Sequence, residues 1–120
     1  MRMAHVTVHT SDLSGSVDFY TRTAGLRIIR DMRDRPSNRI VFVGDDEGTT
    51  LVELIEAEDA SSVYTGSGIS IGFETDDAEG LRERFEKEGL APTKMRAVSE
   101  TTKFFFLKDP NGLSVQFIEN

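Results

Sequence analysis

The sequence predicts an α+β fold made of two tandem βαβββ modules that form an open, trough-lined mixed sheet. Three observations carry this. Strand-like alternation opens two stretches, at Ala4–His9 and Ile69–Glu74. Each is followed by a short amphipathic helix closed by glycine, and then by runs of β-forming residues separated by turn residues. Landmark residues also recur at a nearly constant offset: Asp12 to Asp77 at 65, and Gly25 to Gly89, Asp45 to Asp109 and Gly48 to Gly112 at 64. A drift of one residue is what a single-residue loop change gives, so the order of elements reads as a duplication.

In the first module Ala4, Val6 and Val8 alternate with His5, Thr7 and His9, giving a half-buried strand whose second face is polar. Asp12 or Ser14 can cap a helix running to about Thr23, with Leu13, Val17 and Tyr20 at helical spacing and Phe19 widening the stripe. Gly25 ends it. Residues 26–31 and 39–43 read as a hairpin pair joined through Pro36-Ser37-Asn38. Asp45-Asp46-Glu47-Gly48 is a turn, and the strand Leu51-Val52-Glu53-Leu54-Ile55-Glu56 follows.

The residues from Ala57 to Gly68 are small and polar and read as a linker. The second module repeats the order. Asp76 or Asp77 caps a helix over 78–88 with Leu81 and Phe85 inward, and Gly89 stops it. A short strand near 92–97, a strand over 103–108, the turn Asp109-Pro110-Asn111-Gly112 and a strand over 113–118 complete it. Of Phe104, Phe105 and Phe106, alternation sends part toward the core and leaves part on the opposite face. The expected boundaries are 1–57 for the first module, 58–67 for the linker and 68–120 for the second, within one domain.

Glu53 is the residue that needs an explanation. It shares a face with Leu51 and Ile55 on an otherwise apolar strand, where an ionised carboxylate costs several kcal/mol unless a cation, a metal or hydrogen-bond donors meet it. An open, solvated sheet face is the plain alternative. The repeat maps His5 onto Ser70 and Glu53 onto Gln116, four polar residues on strands rich in apolar ones.

Composition narrows the classes. The 120 residues suit one domain, and 38% hydrophobic with 29% charged residues is ordinary for a soluble globular chain. Without cysteine there are no disulfides, zinc ribbons or thiol nucleophiles. A net charge of −7 speaks against general nucleic-acid binding. No long apolar run and no leader pattern occur, so a cytoplasmic location without membrane association is expected. Arg27, Arg30, Arg33, Arg35 and Arg39 hold five of the fourteen basic residues, either as a solvated hairpin edge or as an anion-binding patch.

The opening His5-Val6-Thr7-Val8-His9-Thr10-Ser11-Asp12-Leu13, then Ser16-Val17-Asp18-Phe19-Tyr20 and Gly25-Leu26, resembles the start of vicinal oxygen chelate proteins. Phe73-Glu74-Thr75-Asp76-Asp77 and Asp109-Pro110-Asn111-Gly112 resemble the same superfamily, which includes glyoxalase I, methylmalonyl-CoA epimerase, extradiol dioxygenases, and fosfomycin and bleomycin resistance proteins. The resemblance spans the chain. It implies a divalent metal (Zn, Ni, Co or Fe), or none, held at the places of His5, Glu53, Ser70 and Gln116. Ser70 stands where the metal-dependent members usually have histidine, and Gln116 where they usually have glutamate.

The expected metal ligands are therefore His5, Glu53 and Gln116, three with open positions being enough for a catalytic ion. The expected catalytic residues are Glu53 and Gln116; an amide accepts no proton, so Glu53 would serve as both ligand and base. Thr7, His9, Ser70 and Glu74 are expected to line the substrate, His9 and Glu74 alternatively forming an ion pair. What the resemblance implies is a glyoxalase-like lyase or isomerase acting on a small carbonyl compound or its thiol conjugate. The alternative is a metal-free protein that sequesters a small ligand, of the bleomycin resistance type. A homodimer is expected on either reading.

Overall fold

A computed structural model of the chain describes residues 1–63 and 66–120. It falls into two compact units, Met1–Thr65 and Gly66–Asn120, each built around one four-stranded mixed sheet. Of the expected linker, residues 64 and 65 lie outside the described residues; Ala60–Ser62 form a single 3₁₀ turn, which Asp59 caps by accepting from the Ser61 N–H.

In the first unit the strands are β1 (His5–Thr10), β2 (Arg27–Met32), β3 (Ile40–Gly44) and β4 (Leu51–Glu56), ordered β1-β4-β3-β2. β1 runs parallel to β4, with Thr7 opposite Glu53; β3 runs antiparallel to β4, with Phe42 opposite Glu53. Helix α1 (Leu13–Asp18) packs under the sheet, capped by Asp12, whose carboxylate accepts from the Gly15 N–H at 2.9 Å. The core here is Val8, Leu13, Val17, Phe19, Tyr20, Val41, Val43, Val52 and Leu54.

The helix expected to reach Thr23 changes character at Phe19, and Phe19–Thr23 form a π-helical turn. The wider turn rotates less per residue than an α-helix, which lets the adjacent aromatics Phe19 and Tyr20 both be buried, their rings 5.1 Å apart. Gly25 then takes φ 78°, the left-handed conformation that ends the helix.

The second unit repeats the plan with β5 (Ser70–Glu74), β6 (Arg96–Ala97), β7 (Lys103–Lys108) and β8 (Ser114–Glu119), ordered β5-β8-β7-β6. Helix α2 (Ala78–Lys87) is capped by Asp77 as α1 is by Asp12. Phe85, Phe105 and Phe117 cluster beneath the sheet with rings 5.2 to 5.9 Å apart, whereas Leu81 is only half-buried. The strand expected over 92–97 shrinks to Arg96–Ala97. Thr93 nevertheless continues the pairing: its N–H donates to the Phe106 carbonyl, and its hydroxyl accepts from the Phe106 N–H.

Both units thus have one helix-covered, apolar sheet face and one face without a helix. Residues i, i+2 and i+4 of each strand share that second face. It carries His5, Thr7 and His9 with Glu53 in the first unit, and Ser70, Gly72 and Glu74 with Gln116 in the second. Among the described residues no helix is long and apolar enough to cross a membrane.

Candidate functional site

Glu53 is met by one hydrogen-bond donor and by a nearby imidazole. Because β1 is parallel to β4 with Thr7 in register opposite Glu53, the Thr7 hydroxyl donates to Glu53 Oε1 at 2.7 Å. His5, one position along the same face, brings Nε2 to 3.5 Å from the same oxygen. Phe42 closes the other side, its ring centroid 5.8 Å from that of His5 in an edge contact. The Glu53 side chain is 14% exposed and that of His5 41%, so the carboxylate is held at the foot of a partly open recess. No described residue donates to the second oxygen, Oε2.

This arrangement passes a limited test for a metal. Two ligand atoms bound tetrahedrally at about 2.1 Å lie about 3.4 Å apart, close to the 3.5 Å between His5 Nε2 and Glu53 Oε1. A neutral imidazole nitrogen and a carboxylate oxygen suit Zn²⁺, Ni²⁺, Co²⁺ or Fe²⁺. Two such atoms do not make a complete site. Among the described residues no group of three or more His, Cys, Asp or Glu side chains is placed to hold an ion.

The second sheet carries the equivalent positions in altered form. Gln116 pairs with Gly72 on β5 and Phe106 on β7, just as Glu53 pairs with Thr7 and Phe42. The charge and the hydroxyl that orients it are therefore lost together, Glu to Gln and Thr to Gly. A Cβ at Gly72 would stand 3.2 Å from Gln116 Oε1, so the amide fills the space a side chain would take. Ser70 is exposed at the start of β5.

His9 and Glu74 share these bare faces and make contacts of their own. His9 opens onto a cavity of about 370 Å³ lined also by Asn38, Ile40, Ile55, Glu56 and Glu58. Glu74 accepts from the Asn120 side-chain amide at 3.5 Å. The sequence places Thr7 on the expected substrate-lining face; its bond to Glu53 follows only from the parallel register of β1 and β4. Three arginines of the basic cluster are neutralised by acids: Arg27 by Asp46, Arg33 by Asp31 and Arg39 by Glu56, each within 3.0 Å. The Arg33 side chain and then its backbone N–H, both donating to Asp31, hold that carboxyl below its ordinary value.

Each unit has the order βαβββ and one sheet face bare of helix. The chain belongs to the Glyoxalase/Bleomycin resistance protein/Dioxygenase superfamily, whose family profile matches residues 2–117. It is 30% identical over 126 residues to a lactoylglutathione lyase of Neisseria meningitidis, covering 99% of this chain and 91% of that protein. A lactoylglutathione lyase of Escherichia coli O157:H7 is 26% identical, over 99% and 93%. Among solved structures, the trypanothione-dependent glyoxalase I of Leishmania major superposes with a TM-score of 0.79 at 23% identity, covering 99% of this chain and 86% of that one. TnmS3, an antibiotic binding protein from Streptomyces sp. CB03234, does so at 0.77 and 19%, over 98% and 93%.

Proposed function

We propose that the chain is a glyoxalase-like lyase that isomerises the hemithioacetal of a 2-oxoaldehyde and a thiol to the 2-hydroxy thioester. The observation that carries this reading is the His5–Glu53 pair, two donor atoms 3.5 Å apart with the carboxylate fixed by Thr7. Similarity to lactoylglutathione lyases along nearly the whole chain supports it.

A divalent ion held by His5 and Glu53 of the first sheet would supply Lewis acidity toward the two vicinal oxygens of the substrate. The chain's own residues do the rest. Glu53 takes the proton from C1 through Oε2, the oxygen that neither Thr7 nor His5 engages, and returns it to C2. The C1–H bond breaks and the C2–H bond forms, while the proton of the C1 hydroxyl passes to the C2 oxygen, so the aldehyde-level carbon is oxidised and the ketone carbon reduced without any outside redox partner. Thr7 keeps the carboxylate in one rotamer through both transfers. Phe42 excludes water from one side and so discourages loss of the carbanionic intermediate. Gln116, unable to take a proton, is confined to binding. The protein acts as a homodimer, which sedimentation analysis at micromolar concentration tests.

The second reading, sequestration of a small ligand without a metal, is favoured by one observation. The second sheet offers the neutral pair Gly72 and Gln116 where the first has Thr7 and Glu53. Metal analysis of protein purified without chelator, followed by assay with the glutathione hemithioacetal of methylglyoxal after loading with Zn²⁺, Ni²⁺ or Co²⁺, separates the two. Turnover that is lost in Glu53→Gln supports the lyase. A protein that holds no ion and turns nothing over after loading supports sequestration.

A further inference from the structure

The bare face of the second sheet has a cavity where the first sheet's equivalent positions are filled by the Leu51 and Ile29 side chains. It measures about 310 Å³ and is lined by Ala91, Thr93, Phe106, Lys108 and Ser114. Lys108 and Ser114 face each other across β7 and β8, and the Lys108 ammonium donates to the Ser114 hydroxyl at 2.9 Å. An ammonium has three N–H donors. No ion pair among the described residues involves Lys108, so two of its donors remain for another group.

The duplication shows that this cavity is no automatic product of the fold. At the offsets that align Phe42 with Phe106 and Glu53 with Gln116, Lys108 corresponds to Gly44, Ser114 to Leu51 and Thr93 to Ile29. In the first unit these residues close the space: a Cβ on Gly44 would lie 2.7 Å from Leu51 Cδ2 and 3.5 Å from Ile29 Cγ1. Two branched apolar side chains have been exchanged for short hydroxyl residues, and a glycine for a lysine. The result is a recess with an aromatic wall at Phe106 and a cation at its edge.

We propose that this recess binds the carboxylate of a small organic acid, with Lys108 and the Ser114 hydroxyl on the carboxylate and Phe106 against the apolar body. The charge balance selects a carboxylate. One ammonium matches one negative charge, whereas a phosphate dianion would leave a charge uncompensated beside an apolar wall. The volume is adequate, since an apolar cavity of about 150 Å³ already holds benzene. The recess borders Gln116, in register with Phe106, and Ser70, in register with Ser114, but it is built from neither, nor from His5 or Glu53.

The test titrates phenylacetate and its neutral isostere phenylacetamide into the full chain kept in EDTA, following backbone amide shifts by NMR. The acid is expected to shift Phe106, Ser114 and Thr93 and to bind about tenfold more tightly than the amide. Lys108→Met, which keeps the stem and removes the charge, should erase that preference, and Lys108→Arg should keep it. Ser114→Leu, which restores the first sheet's residue, should abolish binding of both compounds. Amide spectra of each variant verify that it is folded. The proposal is overturned if acid and amide bind alike, if neither binds at millimolar concentration, or if Lys108→Met retains the preference. Because no metal is present, failure here leaves the lyase reading untouched.

Discussion

Thr7 and Glu53 stand opposite each other on parallel strands, and the threonine hydroxyl donates to the carboxylate at 2.7 Å. The bond connects residues 46 apart in sequence, and the carboxylate it orients is the one that His5 approaches. Partners of this kind fix ligand orientation, and their loss typically weakens metal binding about ten- to a hundredfold. Thr7→Val is nearly isosteric and should weaken Ni²⁺ or Zn²⁺ binding by about that factor. Glu53→Gln, which removes the sole anionic ligand of the proposed set, should abolish it. Neither variant should cost more than about 2 kcal/mol of stability: Glu53→Gln relieves a charge, and Thr7→Val loses one hydrogen bond to a carboxylate that remains partly open to water. Calorimetric metal titration beside urea unfolding checks both. Undiminished affinity in Thr7→Val would show that the bond serves folding alone.

The two Asp-x-x-Gly turns differ in depth. Asp109 is 5% exposed and its Oδ1 accepts from the N–H groups of Asn111 at 2.7 Å and Leu113 at 2.9 Å. Asp45 accepts from Glu47 and Gly48 at the surface. Removing the buried acceptor strands the Leu113 N–H in the interior. Asp109→Ala should therefore cost about 3 kcal/mol and Asp45→Ala about 1. Equal losses in urea unfolding would mean that depth does not govern these turns.

Helix α2 invites an inverted substitution effect. Glycine to alanine inside a helix ordinarily adds about 1 kcal/mol. At Gly80, however, a Cβ would fall 2.2 Å from Asp77 Oδ2, so the cap must swing away, forfeiting about 1 kcal/mol. Gly80→Ala should be close to neutral alone and stabilising by about 1 kcal/mol in an Asp77→Ala background. A thermal-unfolding double-mutant cycle measures the coupling; additive effects would remove the cap from the account.

Asp31 sets a pH dependence. Its carboxyl is held below the ordinary 3.8, first by the Arg33 side chain and then by the Arg33 N–H. A folded pKa that is lowered contributes stability above the unfolded pKa and loses it as pH falls through the folded value. The contribution is therefore intact at neutral pH and disappears only in strong acid. Both side chains are about a third exposed, so the effect is modest. Carboxyl-carbon NMR should show Asp31 titrating below 3.8 in the native chain and moving upward in Arg33→Gln.

Local chemistry made the repeat legible. Asp12 and Asp77 cap, Gly25 and Gly89 stop the helices at φ 78° and 81°, and the phenylalanine run alternates with Phe105 buried. What escaped depends on non-local facts. The π turn at Phe19–Thr23 answers the burial of two adjacent aromatics, which helical periodicity does not register. The Thr7–Glu53 bond needs the register of strands distant in sequence. The Lys108 recess depends on Ser114 of β8 and on Ala91 and Thr93 of the loop after α2 being small together beside Phe106, so no single residue announces it.

The altered half of the repeat supplies the last prediction. In the first sheet His5, Thr7 and Glu53 form a set; in the second the same positions hold Ser70, Gly72 and Gln116. Serine is a poor ligand at neutral pH, and the amide oxygen of glutamine carries no charge. Ser70→His with Gln116→Glu restores both ligand types and should raise Zn²⁺, Ni²⁺ or Co²⁺ affinity by at least about tenfold, since each adds a stronger donor. Adding Gly72→Thr should raise it further, by supplying the hydroxyl that Thr7 gives Glu53. That threonine's Cβ would meet the new carboxylate at close range, near the 3.2 Å found for the Gln116 oxygen, which the long side chain at 116 can relieve by rotating. If calorimetry finds no ion bound by the folded double variant, these strand positions do not form a latent metal site. Sequestration of a small ligand then replaces the lyase as the working function.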